Sequence, residues 1–274
     1  MTVLIIGATG FLGTELVRQA PALGHTTAAT FNSRPGRASG TSWHHLDLRD
    51  PRRLDDLLDS VAPRAVINAS SGDDDWAVTA DGSVRLTRAT ARRKIRLVHV
   101  SSDAVFSGRH VHYAETALPD PVTPYGAAKA AAETAVRLLH PSAVVARTSL
   151  IIGSGGSEHE RVVHELATGR REGALFTDDV RCPVHVVDPA AALWELAASD
   201  ETGVFHLAGP DALSRYALGV LVARRDRIDP ARLPAGLRAD TRLPGALDVR
   251  LDNRATQRRL TVRLRGATEF LAGA

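Results

Sequence analysis

Cysteine occurs once in the 274 residues, at Cys182, so neither an internal disulfide nor a multi-cysteine zinc site can form. Lysine is almost missing: of 34 basic residues only Lys94 and Lys129 are not arginine. Where a chain nearly always uses arginine, a retained lysine points to a need for a compact ammonium. Aromatic residues make up 4% and no recognised nucleic-acid motif is present, which argues against a nucleic-acid partner. No apolar run approaches the roughly 18 residues that a membrane-spanning helix needs. The apolar start Val3 to Ile6 meets Gly7 at once and has no basic flank. A secretory signal is therefore not expected, and a cytoplasmic protein is. G-x-S-x-G is absent, so a hydrolase elbow is unsupported. No metal site is expected. His44 and His45 are adjacent and would point to opposite faces of a strand, and His110 and His112 lack a third ligand.

What is present describes an ordinary globular chain: 44% hydrophobic and 24% charged residues, enough for one large domain or two closely joined ones. The net charge of +3 hides an asymmetry. Residues 221–265 hold 12 arginines against 5 acids. Such a region can hold an anionic substrate or form a solvated face.

The first 150 residues alternate between strand and helix. Strands are expected at Thr2 to Ile6, His25 to Phe31, Ser42 to Leu46, Ala65 to Asn68, Ile95 to Ser101 and Ala143 to Arg147. Helices are expected at Phe11 to Leu23, Pro51 to Val61, Trp76 to Arg93 and Tyr125 to Leu139. This rhythm predicts a parallel sheet covered on both faces. After residue 150 it loosens. Helices are expected over about 158 to 168, Pro189 to Ala198 and Ser214 to Arg224. Strands are expected near Leu175 and Val184 and at Val204 to Leu207. The pattern divides the chain into a dinucleotide-binding domain (1–150) and a smaller, mainly substrate-binding lobe (151–274) packed closely on it.

Between the first strand and first helix lies Gly7-Ala8-Thr9-Gly10-Phe11-Leu12-Gly13. Glycines there let the backbone approach a pyrophosphate, and the helix N-terminus offers free N–H groups and a positive dipole end. An NAD-binding site usually carries an acid about 20 residues on, to hold the ribose 2′-hydroxyl. No Asp or Glu occurs between Leu16 and Leu46, and the second strand instead ends Phe31-Asn32-Ser33-Arg34. A guanidinium at Arg34 can bind a 2′-phosphate, so NADP(H) is favoured over NAD(H). Arg37 is a weaker second candidate.

Tyr125 and Lys129 stand at i and i+4 at the start of the long helix, on one face. A free phenol, with a pKa near 10, is a poor acid–base catalyst at neutral pH, and a nearby ammonium is expected to lower it. The ammonium can also donate to cofactor ribose hydroxyls. Carbonyl reduction needs this chemistry, because hydride arrives at carbon while an acid protonates oxygen. The fifth strand ends Ser101-Ser102-Asp103, where strand ends form the binding crevice. A serine there can polarise a substrate carbonyl, or can cap its own turn. His99, inside that strand, reads as a satisfied core residue.

These segments together resemble the extended short-chain dehydrogenase/reductases, and within them the dTDP-4-dehydrorhamnose reductase group. The resemblance extends through Leu46-Asp47-Leu48-Arg49-Asp50, Val66-Ile67-Asn68-Ala69-Ser70, Ser101 to Gly108, Tyr113-Ala114-Glu115 and Pro121 to Lys129. It continues in Arg147-Thr148-Ser149, Arg181-Cys182-Pro183, Val204 to Gly209 and Leu247 to Asp252. It implies a doubly wound, Rossmann-type α/β fold. It makes Ser102, Tyr125 and Lys129 the catalytic set. It places Thr9, Gly10, Phe11 and Leu12 on the pyrophosphate and Asp47 and Leu48 beside adenine. Asn68, Ala69, Ser70 and Ser101 fall along the cofactor, and Ser102, Ser149 and Arg181 on the substrate. The implied substrate is a nucleotide-linked 4-keto-deoxysugar, its diphosphate held by arginines of the C-terminal lobe, and a homodimer is common in the family.

Some positions depart from the family pattern. The loop after Ser70 is short and acidic, Asp73-Asp74-Asp75, and is expected to be solvated or to cap the helix at Trp76. Thr79 replaces a frequent Asn, and Leu150 and Ile152 replace aromatics near the substrate. Two alternatives therefore stay open: reduction of a non-sugar carbonyl, and an NADP-binding regulatory subunit without turnover.

Overall fold

The computed structural model describes residues 1–73 and 75–272. Asp74, in the acidic loop, lies outside the described residues. The first strand, β1 (Thr2–Ile6), is buried almost throughout, with Val3 and Ile5 in one core layer and Leu4 and Ile6 in the other. Burial on both faces is what a central parallel strand requires. Around it run β2 (Thr26–Phe31), β3 (Thr41–His45), β4 (Ala65–Asn68), β5 (Arg96–Ser102), β6 (Val144–Thr148) and β7 (Gly203–Leu207). All pair in parallel, in the order β7-β6-β5-β4-β1-β2-β3. The order reverses between β1 and β4, and a crevice opens at such a reversal, at the carboxyl ends of the strands.

Helices cover both faces. On one, α1 (Phe11–Gln19) packs Leu12, Leu16 and Val17 against Ala190, Leu193 and Trp194 of α6 (Val187–Ala197). On the other, α2 (Pro51–Val61), α3 (Ser83–Arg92) and α4 (Pro124–Leu139) contribute Leu54, Leu58, Leu86 and Val136. The expected first helix is shorter than its apolar pattern. After Gln19 the chain tightens into a 3₁₀ turn over Ala20–Leu23, because Pro21 lacks an N–H, and Gly24 ends it at φ +68°. The third helix begins in a wide π-helical stretch, Ala77–Gly82.

The smaller lobe has its own apolar cluster. Leu150, Ile152, Val163 and Leu166 meet Leu218, Val222 and Leu233, drawn partly from α5 (Glu158–Ala167) and α7 (Arg215–Arg225). The lobe is not continuous in sequence, because α6 and β7 return to the main sheet, where β7 pairs with β6 over five residues. Most of the arginine-rich region is consumed in surface ion pairs. Arg250 binds Asp248 (2.7 Å), Arg254 binds Asp252 (2.6 Å), Arg263 binds Glu269 (2.7 Å) and Arg265 binds Asp188 (2.7 Å). Arg238 is the member of that region that lines a cavity beside Ser102. No helix among the described residues is long and apolar enough to cross a membrane.

Candidate active site

Two cavities lie along the carboxyl ends of the strands and share Phe11 as a common wall. The first, about 530 Å³, is bounded by Gly7, Thr9, Gly10, Phe11, Asn32, Asp47, Leu48, Ala69 and Ser70. The sequence groups all of these with a dinucleotide. Gly7 adopts φ +77°, and a Cβ there would lie 2.7 Å from the Ser70 backbone. Gly13 faces inward instead. Its Cβ would meet the Gly7 carbonyl at 2.2 Å, so it serves close packing of α1 on the loop. Gly10 leads into α1 without a side-chain cap, leaving the first-turn N–H groups free for an anion. Glycine cradle, uncapped helix end and cavity together fit a dinucleotide pyrophosphate.

Other expected contacts fall elsewhere. Ser33 and Arg34 are exposed and do not line the cavity. The guanidinium on the wall is Arg49, which is not among the expected cofactor contacts. Its Nε–Nη2 edge is spent on Asp47, at 2.7 to 3.0 Å, and Nη1 stands 3.7 Å from Asp75. Those hydrogen bonds hold the Asp47 carboxyl below the usual carboxylate range. Asn68 is fully buried behind the wall, where its Oδ1 accepts from Ser70 N (3.2 Å) and Ser70 Oγ (2.6 Å). The Ser101 hydroxyl is buried with no partner and lines neither cavity.

The second cavity, about 730 Å³, brings together Leu12, Ser102, Tyr125, Ser149 and Arg181. Thr123 accepts from Gly126 N (3.0 Å) and caps α4, with Pro124 at the first helical position, so Tyr125 stands in the first turn facing the cavity. A Cβ on Gly126 would lie 2.1 Å from the Ala104 carbonyl, so this glycine lets α4 press against the turn after β5. Ser102 caps its own turn: its Oγ accepts from Ala104 N (3.1 Å) and donates to Asp103 Oδ1 (3.3 Å), and it borders the cavity that Tyr125 also lines. The Ser71 hydroxyl, not among the expected site residues, acts on the phenol in the same direction as Ser102, lowering its pKa.

Lys129 is 3% exposed, one turn behind Tyr125. Its Nζ donates to the carbonyls of Val100 (3.2 Å) and Ser70 (3.4 Å) and stands 5.9 Å from the Tyr125 ring centre. Burial pulls the ammonium down to about 8, opposed by the carboxylates of Glu133 and Asp73. The expectation that Lys129 lowers the phenol is not what the structure gives. Burial raises Tyr125 above its ordinary value, Asp103 and Asp73 push the same way, and the hydroxyls of Ser71 and Ser102 pull back. The ammonium points its protons at backbone oxygens, so burial outweighs it. Asp73 is exposed, as expected of a solvated loop, and it also borders the second cavity. Asp75 does cap, accepting from Val78 N (3.3 Å).

Ser149 and Arg181 reach the cavity largely committed to structure. Ser149 Oγ donates to Asp103 (2.7 Å) and accepts from Cys182 N (3.1 Å). Arg181 donates to the carbonyls of Val180, Ala246 and Leu247 (2.7 to 3.2 Å). Cys182 is a core residue, packed with Val105, Phe106 and Tyr113, whose thiol burial pushes up to about 11. Two further arginines border the cavity, Arg215 and Arg238. With Arg181 they surround the single carboxylate of Asp179 at 2.8 to 3.5 Å, so this corner keeps an excess of positive charge. Beyond them an aliphatic chamber of about 350 Å³ continues into the lobe.

A glycine-cradled dinucleotide cavity joined to a Ser–Tyr–Lys constellation defines a Rossmann-type oxidoreductase of the extended short-chain dehydrogenase/reductase kind. Comparison with known proteins narrows this. Residues 1–266 match the RmlD substrate binding domain, and the chain belongs to that family. It is 32% identical to a dTDP-4-dehydrorhamnose reductase of Mycobacterium tuberculosis over 245 residues, 84% of this chain and 77% of that protein. A dTDP-4-keto-6-deoxy-D-glucose reductase of Streptomyces niveus is 29% identical, covering 84% of this chain and 80% of the relative. The dTDP-4-dehydrorhamnose reductase of Bacillus anthracis, solved with NADP, superposes with a TM-score of 0.84 at 20% identity, covering 98% of this chain and 96% of that one. At that identity the likeness is one of fold.

Proposed function

We propose that the protein is an NADPH-dependent reductase of a nucleotide-linked 4-keto-6-deoxysugar. The observation that carries this reading is the meeting of the two cavities at Phe11, with Tyr125 and Ser102 on the far side of it. When bound, the nicotinamide cofactor supplies hydride. The chain's own residues do the rest. Ser102 Oγ holds the carbonyl oxygen, and Tyr125, kept protonated by burial, delivers a proton to it as negative charge develops. Lys129 uses two donors on backbone carbonyls, which leaves a third for ribose hydroxyls. Arg181, Arg215 and Arg238 give the corner that receives a diphosphate its positive charge, and the chamber beyond has room for a nucleoside. The relatives named for dTDP-keto-sugar reduction support the same substrate class.

The test is calorimetric titration with dTDP in the presence of NADPH. Saturable binding is expected, weakened roughly tenfold by Arg238→Ala, as loss of a charge-assisted contact implies. No binding to the wild type would count against the nucleotide-sugar substrate and leave a reductase of another carbonyl.

Preference for NADPH belongs to the same proposal. It is supported by Asn32, rather than an acid, at the end of β2, and by Arg34 two residues on, exposed and free to fold over the cavity mouth. NADPH should bind at least about tenfold more tightly than NADH, and Arg34→Ala should remove most of the difference. Equal affinities in the wild type would discard Arg34 as a selector.

A further inference from the structure

His99, expected to be a satisfied core residue, is only half satisfied. It lies on β5 opposite Asn68 of β4 and is 1% exposed. Its Nδ1 is 3.1 Å from Asn68 Nδ2, while its Nε2 is buried with no partner. The direction of the hydrogen bond follows from the other end of the amide. Asn68 Oδ1 accepts from both the backbone N–H and the hydroxyl of Ser70, so that end must be oxygen and the end facing His99 must be the donor. His99 therefore accepts at Nδ1 and carries its proton on Nε2. Burying that N–H without an acceptor costs stability; leucine at the same place would remove that cost and leave Asn68 Nδ2 unpaired instead.

What the imidazole holds is the bend at 68–70. Ser70 borders the cofactor cavity, and its backbone closes against Gly7. Its carbonyl is one of the two acceptors of Lys129 Nζ, and the other is the carbonyl of Val100, the neighbour of His99 in β5. We infer that His99 is a positioning residue: through Asn68 and Ser70 it aims the Ser70 carbonyl, one of the two that hold the Lys129 ammonium. Ser83 Oγ, 3.5 Å from Asn68 Nδ2, is too distant to replace it. The charged groups that act on Lys129 are Glu133 and Asp73, and Lys129 in turn acts on His99, which burial keeps neutral throughout the working range.

The inference rests on the reductase reading, and cofactor binding separates the two. NADPH is titrated by fluorescence from pH 6.5 to 9.5 into the wild type, His99→Leu and His99→Gln, with melting temperatures recorded alongside. Wild-type affinity should fall as pH rises through the titration of Lys129. His99→Leu should melt close to the wild-type temperature, bind NADPH roughly tenfold more weakly at pH 7, and lose affinity from a lower pH. His99→Gln, whose amide oxygen restores an acceptor, should recover most of the affinity. His99→Leu with wild-type affinity and pH dependence overturns the inference, and a wild type that binds no nicotinamide cofactor overturns the reductase reading with it. Nitrogen NMR of histidine-labelled wild type needs no variant. A proton on Nε2 from pH 6 to 9 is required, and a proton on Nδ1 refutes the network.

Discussion

Tyr125→Phe should lower kcat by roughly 10²–10⁴-fold, the range that a positioned general acid contributes. NADPH affinity should change by less than about threefold, because the phenol meets the catalytic cavity and not the wall that binds the dinucleotide. The ring is half-buried and phenylalanine keeps its packing, so the variant should fold. Steady-state kinetics with a dTDP-4-keto-6-deoxysugar, beside NADPH titration, separates chemistry from binding. Unchanged turnover in the variant would remove Tyr125 from the reaction. If the wild type also turned over no carbonyl while binding NADPH, the regulatory-subunit alternative would take its place. Burial holds the phenol above its ordinary value, so deprotonation of Tyr125 should not limit reduction anywhere near neutral pH.

Lys129→Met should make the protein more stable and nearly inactive. In the folded state burial holds this ammonium at about 8, against 10.5 ordinarily. Below pH 8 the lysine is charged in both folded and unfolded chains, and folding bears the whole cost of burying the charge. Between 8 and 10.5 the unfolded chain binds the extra proton, so wild-type stability rises with pH across that window. The gain from Lys129→Met should therefore be full at pH 7, on the order of 2–3 kcal/mol after the lost hydrogen bonds to Ser70 and Val100 are set against it, and should vanish by about pH 10.5. Denaturant unfolding at pH 7 and pH 10 measures this directly. A variant less stable than the wild type at pH 7 would show that the lysine is retained for the fold. NADPH binding should weaken in the same variant, and the alkaline limb of wild-type activity should fall near pH 8 and be absent from it. Stability surrendered at one buried cation is the mark of a residue kept for function.

Much of this site could be read along the chain because its parts are local. The glycine loop follows an apolar strand and opens a helix, Tyr125 and Lys129 are one helical turn apart, and Ser102 ends a strand. Each is a relation over a few residues, fixed by the helical repeat or the strand alternation. The apolar runs of β1 and β4 likewise announced strands buried on both faces. Boundaries strayed where turn chemistry intervened, as at Pro21, or where the helix repeat widened, as at Ala77–Gly82.

The rest depended on contacts between residues distant in sequence. Arg34 and Arg49 look equivalent on paper, yet only the second reaches the cofactor cavity, because β3 carries it across the sheet to the mouth of the crevice. The basic C-terminal region looked like an anion site, but many of its arginines are paired, some with neighbouring acids such as Asp248 and Asp252 and some with distant ones such as Asp179 and Asp188, and Arg238 stands over the cavity beside Arg181 and Arg215. The phenol's pKa could not be read from its spacing to Lys129 either, since burial and the direction of the ammonium's hydrogen bonds decide it. The sequence by itself determined the α/β class, the cofactor loop and the candidates Ser102, Tyr125 and Lys129, all of which follow from short-range periodicity and residue chemistry. Tertiary structure alone decided which arginines face the substrate, how far Lys129 and Tyr125 are shifted, and what His99 holds in place, because charge, solvation and orientation are set by whatever the fold brings alongside.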